Sequence, residues 1–424
     1  MTTVASELLN KALAARKAAR ELRSLTTEKK NAVLEAVAAV LTQDTGAIVK
    51  ANGLDMDAGR KAGLSDSLLD RLMLNEERLS DIAADVRTIV TLPEPIGEVI
   101  DESTLPNGIH VERRRVPLGV IGAIYESRPN ITIDLSVLCL KSGNAVILRG
   151  GKEAVHSNLA LSNLVRQALE SAGVTPDAVQ FIEDTDRALV GQMIKLNEHI
   201  DLIIPRGSET LIHYVRDNAS VPAITGGIGV VHTYVDETAD AHNATEIVFN
   251  AKVQRPSVCN ALDTVLIHSA SAPAILPQIA SKLTAAGVEI RCDERALSQL
   301  GPVDGSLIKA AGPEDFGKEF LDLVVSVKVV DSLDEAIEHI ETHGSGHTEA
   351  IITENADAAT RFVDEVEASL VLVNASTRFN DGGQLGLGAE VAISTNKLHA
   401  RGPMGLRELT SYKWIAIGSG QVRP

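Results

Sequence analysis

Between residues 6 and 90 the apolar side chains recur at helical intervals. Ala32, Val33, Ala36, Val37, Val40 and Leu41 follow an i, i+4, i+8 pattern, which sets one apolar stripe along a helix. Thr26 or Thr27 can cap its start, and Glu28 suits the positive end of its dipole. Pro93-Glu94-Pro95 closes this helical region, because a residue before proline is pushed out of the α conformation. From 97 the period changes to two. GEVIDESTLPNGIHVERRRVP alternates on both sides of Pro106-Asn107-Gly108, and Asn-Gly predicts a hairpin turn. A solitary hairpin is marginal in water, so this long polar one is expected to pair with something else, another subunit being one option.

Beyond the hairpin, short apolar runs alternate with helical patterns. LGVIGAIY, AVILRG, VQFIE, DLIIPRG, GVVHTYVD, DTVLIH, LVVSVKVV, EAIITE and SLVLVN read as strands. The segments 156–172, 185–196 and 272–286 read as helices between them. Such alternation predicts an α/β fold with largely parallel sheets. DGGQLGLGAE, near the end, reads as a loop over a site or a tight connection.

Composition narrows the class. At 424 residues the chain exceeds one ordinary core and should form two or more domains. Aromatics are only 3%, so the core must be built from Leu, Val, Ile and Ala, a mix that suits helices on a parallel sheet. A formal net charge of −17 repels nucleic acid and anionic membranes, and neither is expected as a partner. Any phosphate-bearing ligand must then be held by local cations. Cys139, Cys259 and Cys292 are widely spaced and form no CxxC pair, which argues against a disulfide framework and against a metal site. The N-terminus lacks the apolar core of a signal peptide, and no apolar run approaches the ~18 residues of a bilayer span. A cytoplasmic location is expected.

The dinucleotide fingerprint G-x-G-x-x-G, the P-loop, the G-x-S-x-G elbow and H-E-x-x-H are all missing. Two windows carry chemistry. In KVQRPSVCNALDTVLIH, Cys259 follows a basic, proline-containing turn, where exposed N–H groups and the charges of Lys252 and Arg255 would favour a reactive thiolate. A buried structural cysteine fits that window equally well. For Cys139, inside LSVLCLKSG, and Cys292, at a strand end, the structural reading is preferred. In the second window a glycine-rich strand leads to Arg128-Pro129-Asn130, a helix, and a strand ending in Arg149-Gly150-Gly151-Lys152. Cations around a glycine pair beside a helix start suit a phosphate, although a solvated loop would look the same.

YESRPN, LRGGKEAVHSN, PRGSE, HTYVD, QRPSVCNA, GSGHTEAI and STNKLHARGPMGL, in that order over nearly the whole chain, resemble the aldehyde dehydrogenase superfamily and, within it, the gamma-glutamyl phosphate reductase (glutamate-5-semialdehyde dehydrogenase) family. The resemblance implies an aldehyde-dehydrogenase-like α/β fold. Its nucleotide-binding domain would span 1–98 and 116–230 with a return segment at 372–398, and its catalytic domain 231–371. The hairpin 99–115 and the tail 399–424 would form an oligomerisation flap. The activity implied is NADPH-dependent reduction of L-glutamyl 5-phosphate to L-glutamate 5-semialdehyde and phosphate through a Cys259 thioester, a step of proline biosynthesis from glutamate. Asn130 would join the Cys259 N–H in holding the oxyanion. For NADP(H), Arg149 falls near the adenine ribose, Lys152 replaces an acid common in NAD-preferring members, Gly207 and Ser208 meet the pyrophosphate, and Glu319 holds the nicotinamide ribose. Arg255, Arg378, Lys397 and Arg401 are candidates for the substrate's charges. Thr225, in VPAITGGIGVVHTYVD, stands where hydrolytic members carry the glutamate that activates water. A homo-oligomer and association with glutamate kinase are further implications. An NAD(P)-dependent aldehyde oxidiser on the same fold, and a non-catalytic nucleotide-binding relative, are the competing readings.

Overall fold

The computed structural model describes residues 3–43, 45–226, 228–300 and 307–423. The chain divides into two compact units, one of Met1–Gly226, Gly386–Ala392 and Met404–Pro424, the other of Gly227–Leu385 and Ile393–Pro403. No single helix among the described residues is long and apolar enough to cross a bilayer.

The first unit opens with helices α1 (Thr3–Leu22), α2 (Thr27–Gln43), α3 (Thr45–Lys61), α4 (Asp66–Leu72) and α5 (Glu76–Thr91). Thr26 Oγ1 accepts from the Lys29 N–H at 3.3 Å, the capping bond expected at the start of α2. The buried face of α2 is Lys30, Val33, Leu34, Val37, Ala38 and Leu41, rotated slightly from the stripe read in the sequence. Ala32 is exposed, and the face centres instead on Leu34 and Ala38, beside a Lys30–Glu94 ion pair at 2.8 Å. The hairpin follows as β1 (Val99–Thr104) and β2 (His110–Pro117), with Gly108 at φ +84° in its turn.

A Rossmann-like half comes next: β3 (Val120–Tyr125), α6 (Ile131–Lys141), β4 (Ala145–Gly150), α7 (Val155–Ser171), β5 (Val179–Phe181), α8 (Ala188–Met193), β6 (Leu202–Arg206) and α9 (Glu209–Asn218). The four strands are parallel in the order β5-β4-β3-β6. The helix read over 185–196 is the short α8. The Arg149 guanidinium draws on the carbonyls of Thr185 and Asp186, and Asp186 caps Ala188, so the helix starts only there.

The second unit is built on β7 (His232–Val235), α10 (Ala241–Val253), β8 (Thr264–His268), α11 (Ala272–Ala285), β9 (Glu289–Cys292), α12 (Glu294–Leu300), β10 (Ile308–Ala310), β11 (Val324–Val330), α13 (Leu333–His343), β12 (Thr348–Ile352), α14 (Ala356–Glu365) and β13 (Leu370–Val373). Its seven-stranded parallel sheet runs β10-β9-β11-β8-β7-β12-β13. Val265, Ile267, Val325, Val327 and Ile290 meet Val248, Ile275, Leu276 and Ile279 in one aliphatic core. A two-stranded ribbon, β14 (Ile393–Ser394) with β15 (Gly402–Pro403), belongs to the same unit. The chain then returns to the first unit as β16 (Thr410–Ile417), which pairs antiparallel with β2 from Thr410↔Pro117 to Ile417↔His110. The third strand of the polar hairpin is thus the chain's own C-terminal segment.

Candidate active site

In the first unit, chemistry gathers where strand order reverses. β3 lies between β4 and β6, and register pairs Tyr125 with both Gly150 and Arg206, so the carboxyl ends of three strands are level. That is the switch-point crevice in which open α/β sheets bind ligands. Glu126, Gly151 and Gly207 follow at this edge. Ser208 is the N-cap of α9, and its N–H donates to Glu126 Oε2 at 2.8 Å. A Cβ built on Gly207 would lie 2.4 Å from the same carboxylate oxygen. An anion already sits on the N–H expected to meet a pyrophosphate. Arg149 is buried, donates to Thr185 O at 2.7 Å, and has its pKa lowered by burial, which the nearby Glu153 carboxylate only partly offsets. Lys152 is exposed. Asn130 begins α6 and donates from Nδ2 to Asp134 Oδ2 at 2.9 Å, where burial and then Asp85 push the Asp134 carboxyl up to about 7.

In the second unit the level edge is the amino one. Gly229 precedes β7, Cys259 precedes β8 and Glu319 precedes β11, three neighbouring parallel strands. A Cβ on Gly229 would stand 1.8 Å from the Cys259 carbonyl oxygen, so only glycine lets these loops touch. The Gly229 N–H donates to Glu319 Oε1 at 3.0 Å. The Cys259 turn is fastened on its far side by Asn260 Nδ2 to Asn380 O (2.9 Å) and Thr377 Oγ1 to Asn260 O (2.8 Å). Among the three cysteines Cys259 is half-buried, whereas Cys139 and Cys292 are buried. Burial pushes the Cys139 thiol far above its ordinary range and Cys292 up to about 12, leaving both as inert thiols.

The four basic substrate candidates meet different partners. Arg255 is exposed beside the Cys259 turn, and Arg378 donates from Nε to Gln254 Oε1 at 2.8 Å. Lys397 and Arg401 both pair with Glu367, Lys397 at 3.3 Å. Lys252, read as part of a basic turn, is fully buried in the last turn of α10. Thr225 and Gly226 lie in irregular backbone, while Gly227 of the same stretch is outside the described residues. Glu126, Gly229 and Asp263 carried no sequence signal of their own, since their partners lie 82, 30 and 57 residues away. Glu102, His110 and Glu112 in the hairpin approach one another, but Glu112 is already paired to Arg114.

The aldehyde dehydrogenase family model matches residues 3–305 and 318–415. The gamma-glutamyl phosphate reductase of Dehalococcoides mccartyi is 54% identical over 417 residues, covering 98% of each chain. That of Roseiflexus castenholzii is 55% identical over 413 residues, 96% of this chain and 97% of the relative. The crystal structure of the gamma-glutamyl phosphate reductase from Thermotoga maritima superposes with a TM-score of 0.96 at 45% identity, covering 99% of this chain and all of that one.

Proposed function

We infer, from the premise that this chain belongs to the aldehyde dehydrogenase family and within it to the gamma-glutamyl phosphate reductases, that it reduces L-glutamyl 5-phosphate to L-glutamate 5-semialdehyde with NADPH through a thioester on Cys259. The observation that carries the reading is Cys259 itself: the one cysteine that is not buried, in a turn braced against Gly229 beside Glu319.

The Cys259 sulfur attacks the acyl carbon, and the carbon–oxygen bond to phosphate breaks with its electron pair leaving on phosphate. Phosphate is a good leaving group, so no separate acid is needed. The cofactor's chemistry is hydride donation to the thioester carbonyl. Collapse then returns the C–S electron pair to Cys259 and frees the aldehyde. Asn130 serves as an amide donor to the developing oxyanion. The crevice fits a dinucleotide phosphate, because the Ser208 N–H already holds a carboxylate and Gly207 leaves no side chain in the way. Lys152 and Arg149 would meet a 2′-phosphate, and Glu319 the nicotinamide ribose. Arg255 and Arg378, which flank the Cys259 turn, and Lys397 and Arg401, which meet at Glu367, are the candidates for the substrate carboxylate. The same reading includes a cytoplasmic homo-oligomer and association with the glutamate kinase that makes the labile acyl phosphate.

The test runs the reaction backwards. Given semialdehyde and NADP without phosphate, the enzyme is expected to release about one NADPH per active site and then stall, because Thr225 provides no base to activate water. Added phosphate restores steady turnover by taking the acyl group. Sustained NADPH production without phosphate would overturn the reading in favour of a hydrolytic aldehyde oxidiser.

A further inference from the structure

We infer that the buried pair Lys252–Asp263 is the positioning device of the Cys259 turn, holding it in register with the segment that carries Glu319. The inference rests on the reading of Cys259 as nucleophile and concerns how its loop is held.

Lys252 closes α10 and Asp263 immediately precedes β8, so the two residues stand at the two ends of the turn that carries Cys259. Both side chains are buried, at 0% and 2% exposure, with Lys252 Nζ 3.9 Å from Asp263 Oδ1. That distance is too long for a hydrogen bond, and among the described residues Nζ has no hydrogen-bond partner; it lies 5.9 Å from the centre of the Phe320 ring. Such a pair is a poor source of stability, since two desolvated charges seldom outperform an apolar pair of the same size. Its value lies in what the carboxylate ties together. Asp263 Oδ1 accepts from the Phe320 N–H at 3.0 Å, and Oδ2 accepts from the Val231 N–H at 3.3 Å. Phe320 follows Glu319, Glu319 accepts from Gly229, and Gly229 packs on the Cys259 carbonyl. The links form a closed circuit through the loops before β7, β8 and β11. Both Asp263 bonds require an acceptor on each oxygen; the ionised carboxylate offers two strong ones, whereas the hydroxyl oxygen of the neutral acid accepts only weakly. Burial favours the neutral acid, pushing Asp263 up, and the Lys252 charge is the largest influence in the other direction. Lys252 therefore acts on the turn through Asp263.

Asp263→Asn keeps the shape but has one acceptor oxygen, so either Phe320 or Val231 loses its tie, and Lys252 is left unpaired. Lys252→Met removes the cation, and the stranded Asp263 takes up a proton, with the same loss of one acceptor. Each single variant is expected to melt lower and to turn over about tenfold to a hundredfold more slowly, the scale set by small displacements of reacting groups. The double variant K252M/D263N carries no charge at the two positions and should recover its melting temperature. Its kcat should stay at least about tenfold down, and NADPH KM should rise, because the circuit is still open. Recovery of kcat together with melting temperature would reduce the pair to packing and overturn the inference. Should the double variant not fold, Lys252→Met assayed well below its own melting temperature decides the matter, and wild-type kcat there overturns it. Cys259→Ser, measured alongside, separates the two claims: if it keeps turnover, the nucleophile reading itself has failed, whatever the pair variants do.

Discussion

A cysteine's surroundings decide its chemistry. Cys139 and Cys292 are embedded in apolar packing that holds them neutral, whereas Cys259 is half-buried in a turn. Cys259→Ser should abolish turnover while leaving melting and NADPH binding unchanged, because a hydroxyl is a far weaker nucleophile. Cys139→Ser should cost roughly 1–3 kcal/mol of stability by burying a hydroxyl, yet keep most activity. The reverse pattern in a steady-state assay would exclude the thioester route. The Glu126 carboxylate, seated on the Ser208 N–H, competes for the place proposed for the pyrophosphate. Glu126→Gln is accordingly expected to tighten NADPH severalfold in a fluorescence titration, and unchanged or weaker binding would show that nothing is displaced there. Lys152 offers the cleaner probe of the 2′-phosphate, since Arg149 also braces the 185–186 backbone. Lys152→Gln should weaken NADPH about tenfold, the lower end of a charge-assisted contact, and leave NADH nearly unaffected. Equal loss for both cofactors would mean that Lys152 holds something other than that phosphate.

Elements place these residues through the edges of two parallel sheets. In the first unit the candidate binding groups follow strand carboxyl ends at the switch point, whereas in the second they precede strand amino ends. Parallel register brings loops together that are distant in sequence, and the segment before β12 joins the same amino edge. His347 lies there, fully buried, with Nδ1 2.7 Å from Thr348 Oγ1 and its pKa pushed by burial down to about 4. The unfolded chain binds a proton at this residue below about pH 6.5, and the folded chain refuses it until about 4. Stability therefore falls on acidification through that window, by about 1.4 kcal/mol per pH unit from this group. His347→Gln should show a shallower loss of melting temperature between those pH values. Parallel slopes for variant and parent would mean that the native ring takes the proton.

At the scale of the whole molecule, the sheet β1-β2-β16 is the least finished surface. Every residue of β1 is exposed, as are Tyr412, Trp414 and Ile417 of β16. Arg113 lies over the rings of Tyr412 and Trp414, at 5.1 and 5.4 Å, and pairs with Asp101 of β1. An exposed ribbon with apolar residues on open edges is a surface that a second copy would cover. Trp414→Lys with Ile417→Lys should shift the protein to a smaller species in light scattering without unfolding it. An unchanged mass would remove the flap from the assembly.

The α/β class, nine strands, the hairpin turn and the family were legible in the sequence because each depends on local pattern or on short motifs. Apolar runs announce parallel strands wherever they pack, Asn107-Gly108 sets its own turn, and QRPSVCNA is contiguous. Tertiary structure alone decided which side chains answer one another. Residue spacing does not reveal that Glu126 caps Ser208, that Gly229 must lack a side chain because Cys259 leans on it, or that Lys252 is buried against Asp263. The resemblance joined the tail 399–424 to the hairpin, but the register that pairs Thr410–Ile417 with His110–Pro117 came only with the structure. Periodicity records which face a residue turns to the core. The partner it finds there is selected by strand order and register, which no short stretch of chain contains.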